Sequence, residues 1–122
     1  MKTEVIAFKE NASFKPSCFR FEMVALLTAL LETAPETTDG RMVVTEGHRN
    51  PRHPDDAHTW CSAFDIRSRN VLADSELALD LKLREWASRA RERLDDPLGI
   101  YQLVVHGGPG PRLHIHAEID PR

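Results

Sequence analysis

Near the C-terminal end of the chain, two short runs rich in β-branched residues, 101–105 and 113–119, flank a stretch holding Gly107, Gly108, Pro109, Gly110 and Pro111. Glycine supplies turn conformations and proline cannot continue a ladder, so this stretch reads as a tight connection. Two strands this close leave no room for the dozen or more residues of a parallel crossover. They are close enough to pair as an antiparallel hairpin. Further strands are expected at 4–8 (a short edge), 42–45 and 62–67. Residues 33–40, with Pro35 and Gly40, and the polar stretch 46–59, with Gly47, Asn50, Pro51 and Pro54, read as loops.

Two helical patterns complete the list. Pro16 or Ser17 opens a pattern over 19–31, with Phe19, Met23, Leu26, Leu27 and Leu30 on one stripe. The second starts near Asp74 or Ser75 as N-cap and runs to about Leu94. Its buried stripe is Leu79, Leu83, Trp86, Ala87, Ala90 and Leu94, with Arg84, Arg89, Arg91 and Arg93 mostly on the wet side. A chain of 122 residues has room for one core. The expectation is a single domain over 1–122: a small α+β fold with an antiparallel sheet and two main helices.

The formal charge of −3 provides no broad basic field for nucleic acid, and Asp55 and Asp56 closely follow Arg49 and Arg52. No apolar run is long enough for a membrane span. Residues 1–11 carry Lys2, Glu4, Lys9 and Glu10, which does not fit a signal-peptide core, so synthesis in the cytoplasm without a secretion signal is expected. Cys18 and Cys61 do not make a disulfide framework; one bridge between them is compatible with the sequence but not demanded by it.

All six histidines lie between 48 and 116. On a strand, side chains two apart share a face, so His114, His116 and Glu118 project together while Ile115, Ala117 and Ile119 pack inward. Asp65, between Phe64 and Ile66, needs a partner if it is buried. A divalent cation held by Asp65 and two imidazoles, from among His58 and the pair His114 and His116, would serve, leaving one position for water as in a catalytic zinc site. Zinc, cobalt or iron could take such ligands. The plainer alternatives are an ion pair of Asp65 with Arg49 or Arg67 and a solvated histidine edge.

Three segments add a resemblance. The run Val43, Val44, Thr45, Glu46, Gly47, His48, Arg49, Asn50, Pro51 resembles the V-T-S-G-Y-R-S-P segment of the zinc D-Ala-D-Ala peptidase family, whose fold is shared with hedgehog signalling domains. His58 through Arg67 is similar to its S-x-H-x-x-G-x-A-x-D-I-R signature, and Leu113 through Glu118 to its closing H-I-H-V-E. Small phage-type members look most similar. The resemblance implies zinc on His58, Asp65 and His116, with His114 near the reacting carbonyl. It also implies that Arg49 steadies substrate or the developing oxyanion. The substrate implied is a peptidoglycan stem peptide cut next to D-alanine, and the setting a phage or prophage product that reaches the wall by another route.

The chain departs from that pattern at three places. Asp56 replaces a serine, and Cys61 replaces the glycine after the first ligand, as either a fourth ligand or a small buried residue. No acid occurs from Tyr101 to Ile115, where the family has its general-base glutamate; His106 holds that place. An imidazole can accept a proton near neutrality, so His106 reads as base, further metal ligand or plain hairpin residue. The alternative reading is a non-catalytic metal-binding relative, a cell-wall-binding or structural phage module.

Overall fold

The computed structural model describes residues 1–48, 57–108 and 110–120, with Thr59 described in its backbone alone. The expected hairpin forms. Strands β4 (Tyr101–His106) and β5 (His114–Ile119) pair antiparallel, from Tyr101 opposite Ile119 to His106 opposite His114. Gly107 turns the chain at φ +74°, where a Cβ would run into the Arg112 carbonyl.

β3 (Ala63–Arg67) pairs antiparallel with β5, and β2 (Arg41–Glu46) antiparallel with β3. β1 (Val5–Phe8) lies on the far side of β2 and runs parallel to it, giving the order β1-β2-β3-β5-β4. The sheet is therefore mixed, which corrects the expectation of an antiparallel one. The close spacing that dictates the hairpin says nothing about β1 and β2. Between those two strands residues 9–40 carry a whole helix, long enough to return the chain for parallel pairing.

That helix, α1 (Phe21–Glu32), buries Met23, Leu26, Leu27 and Leu30 along one stripe. The expected opening at 16–19 is a separate 3₁₀ turn (Pro16–Phe19), and Phe19 is 42% exposed rather than on the stripe. α2 (Glu76–Arg93) starts at Ser75, whose Oγ accepts from the Ala78 amide at 3.0 Å. Arg91 and Arg93 in its last turn complement the helix dipole. Its stripe of Leu79, Leu83, Trp86, Ala87 and Ala90 is buried, and Trp86 Nε1 donates to the Leu30 carbonyl at 2.8 Å, tying the two helices together.

The pairing registers sort the sheet into two faces. Val44, Phe64, Ile66, Leu103, Val105, Ile115, Ala117 and Ile119 join the helix side chains in one apolar cluster. Each large side chain buried there contributes about 1.5–3 kcal/mol of transfer free energy. The opposite face carries Asp65, His106, His114, His116 and Glu118, so β5 alternates half-buried and buried at every step.

Candidate metal centre

Asp65 sits on β3, flanked by β2 and β5, with His116 as its cross-strand partner on β5. Beside it β2 carries an irregularity between Val44 and Glu46, which sets Glu46 opposite Asp65. His58 comes from a different kind of element. It lies on a 3₁₀ turn (Ala57–Trp60) within the stretch expected to be loop, and it is 1% exposed. Hydrogen bonds from the Cys61 amide to the His58 carbonyl (3.1 Å) and from the Ser62 amide to Ala57 (2.9 Å) close that turn.

Cys61 does not offer a thiolate to the site. Its sulfur is bonded to Cys18, with the two Cα atoms 4.8 Å apart, which corrects the reading of Cys61 as an additional ligand or a lone buried residue. The bridge anchors the turn carrying His58 to the 3₁₀ turn before α1. Arg20 adds to the anchor, donating to the Cys61 carbonyl (3.3 Å) and to Ser62 Oγ (2.6 Å). Together they hold Cys61 at φ +50°, a conformation that costs a non-glycine residue about 1 kcal/mol or more.

The ring of His58 is oriented by the backbone. Its Nδ1 donates to the Gly47 carbonyl at 2.7 Å, since a carbonyl can only accept. Gly47 itself is required by close packing, because a Cβ there would lie 2.5 Å from the Phe14 ring. A neutral ring in this tautomer turns the Nε2 lone pair toward Asp65 Oδ1, 3.3 Å away. Two acceptors so placed repel unless positive charge joins them.

His116 has the same need. Its Nδ1 is 2.9 Å from Asp65 Oδ1 and its Nε2 is 3.5 Å from Glu118 Oε1, so both ring nitrogens face carboxylates. Ring protons or a metal ion supply the missing charge. One ligand atom from each of His58, Asp65 and His116 lies within 4.8 Å of the others, and this group could hold a metal ion. Burial pushes the Asp65 carboxyl up, but the hydrogen bonds and positive charge of His116 and His58 outweigh it and hold the group far below the usual carboxylate range.

His114 and His106 stand around this group on the same face. His114 donates from Nδ1 to the Arg112 carbonyl at 2.7 Å, and its Nε2 is 3.8 Å from Asp65 Oδ1. His106 stacks on His116 with ring centroids 5.4 Å apart and 24° between planes, and lies 5.7 Å from the His114 ring. Arg49, with Asp55 and Asp56, lies outside the described residues.

Sequence reasoning left the bridge open and missed Arg20 and the Gly47 carbonyl. Cys18 and Cys61 are 43 positions apart and no local pattern pairs them; two cysteines alone were the available signal. In comparisons with known proteins, no protein-family model, no curated sequence and no solved structure matches the chain.

Proposed function

We propose that this chain is a zinc-dependent metallopeptidase-like domain of the hedgehog/DD-peptidase kind, cleaving peptidoglycan stem peptides next to D-alanine. The observation that carries the reading is the convergence of His58, Asp65 and His116, with His58 oriented through its second nitrogen by the Gly47 carbonyl. Metal-binding histidines are ordinarily fixed in this way. The three motif resemblances, in the family's order, supply the substrate class.

Bound to these three ligands, zinc would act as a Lewis acid toward the scissile carbonyl and make its water a better nucleophile at neutral pH. Asp65 supplies the one negative charge among the ligands. His114, with Nδ1 committed to Arg112, keeps Nε2 on the site side, where it can donate to or accept from a substrate group. His106 is exposed and stacked on a ligand, and takes the proton released by the attacking water. Arg49 keeps the substrate-steadying role that the resemblance gives it. The Cys18–Cys61 bridge supports action at the wall, outside the reducing cytoplasm, as expected of a phage-type product delivered there.

Elemental analysis after dialysis should find about one zinc per wild-type chain and almost none in His116→Ala, followed by release of D-alanine or a shortened stem peptide from muropeptides. A folded chain that retains no zinc overturns the reading. A second reading, a non-catalytic zinc-stabilised wall-binding module, is favoured by one observation: an imidazole, His106, stands where the family has a carboxylate. Here zinc is retained, no muropeptide is cut, and His106→Ala leaves wall binding unchanged. In the enzyme, His106→Ala lowers kcat by about 10²-fold or more at constant zinc content.

A further inference from the structure

A groove of about 260 Å³ opens beside the metal-ligating group, and Asp65 and His114 belong to its wall. Three cations, Lys9, Arg67 and Arg69, line the same groove. Arg69 is already satisfied: it forks onto both oxygens of Glu76, at 2.7 and 3.0 Å, and donates to the Gly110 carbonyl at 2.9 Å. Lys9 and Arg67 differ. Among the described residues neither side chain makes a hydrogen bond or an ion pair, although Arg67 is half-buried on β3 directly opposite His114. Asp65, the carboxylate among the described residues of the wall, faces His58 and His116.

A half-buried guanidinium gives up part of its hydration, and an anion replaces it with the strongest, charge-assisted hydrogen bonds. The planar fork of Arg67 suits a carboxylate, and the flexible ammonium of Lys9 adds a second charge from β1's end of the groove. We propose that Lys9 and Arg67 form a carboxylate-binding subsite that selects anionic peptides and sets them against the metal centre. The groove stands independently of any metal; the identification of its occupant as a peptide carboxylate rests on the peptidase reading. Both a C-terminal carboxylate and an acidic side chain have the required chemistry.

The test is calorimetric titration of the full zinc-loaded chain with three probes. N-acetyl-D-alanyl-D-alanine carries a terminal carboxylate, its C-terminal amide carries none, and N-acetyl-D-alanyl-D-isoglutamine carries one on the side chain only. At least one acid should bind about tenfold or more tightly than the amide. That preference should fall below about threefold in Arg67→Gln and shrink in Lys9→Gln, and the acid that binds tighter identifies which carboxylate the groove takes. Equal binding of acids and amide, no binding of any probe, or a preference unchanged in both variants overturns the subsite. Zinc content measured on the same samples separates the two ideas: zinc retained with no acid preference removes the subsite alone, whereas no zinc retained removes the peptidase reading.

Discussion

His58 aims Nε2 at Asp65 because its other ring nitrogen is held by a backbone carbonyl, and Asp65 keeps its charge where ring protons or a metal ion stand between it and the two imidazoles. The pH consequence follows from that charge. A carboxylate whose folded pKa is depressed contributes stability that is fully present above its ordinary value of 3.8 and is lost as the pH falls toward the folded value. The chelator-treated wild type should therefore lose denaturant stability on acidification below about pH 4, and Asp65→Asn should show a shallower loss over the same range. Equal slopes in denaturation series at pH 4 and pH 2 would refute the assignment. The strand period made His114, His116 and Glu118 legible as one face in the sequence. The tautomer of His58 was not legible, because it depends on a carbonyl eleven residues away, brought near by packing of Gly47 against Phe14.

Among the elements, the 3₁₀ turn at Ala57–Trp60 carries the greatest functional burden for its size. Four residues carry His58, one of the three groups that could hold a metal, and the Cys18–Cys61 bridge fixes that turn across 43 positions of sequence. Loop-closure entropy for a ring of that size gives about 4 kcal/mol, so Cys18→Ser should lower the unfolding free energy by a few kcal/mol. It should also weaken zinc binding relative to the oxidised wild type, as read by competition with a chromogenic chelator. Unchanged zinc affinity would mean that the hydrogen bonds of Arg20 and the turn itself suffice. Elements governed by local chemistry were readable in advance. The Ser75 cap and the α2 stripe announced that helix, and the Gly-Pro stretch announced the hairpin. The parallel pairing of β1 with β2 and the separation of Pro16–Phe19 from α1 were not: the first is a long-range pairing, and the second goes with the Cys18 bridge and an extended Arg20 held by Cys61 and Ser62, more than 40 positions away in sequence.

Across the whole molecule, the sheet gives one face to the helices and the other to the histidines and carboxylates around Asp65. Leu83 on α2 is fully buried, so Leu83→Ala should cost roughly 2–5 kcal/mol while leaving one zinc per folded chain. His114→Ala, on the other face, should shift stability by less than about 1 kcal/mol and yet abolish most turnover. Melting curves and muropeptide digests on the two variants check both expectations, and a reversed pattern would mean that the faces are wrongly assigned. The alternation along β5 carries this further. In a saturation library scored separately for cellular abundance and for muropeptide cleavage, tolerance from His114 to Ile119 should oscillate with a period of two. Abundance should fail at Ile115, Ala117 and Ile119, and cleavage alone at His114, His116 and Glu118, so that one strand would display two interleaved selection pressures.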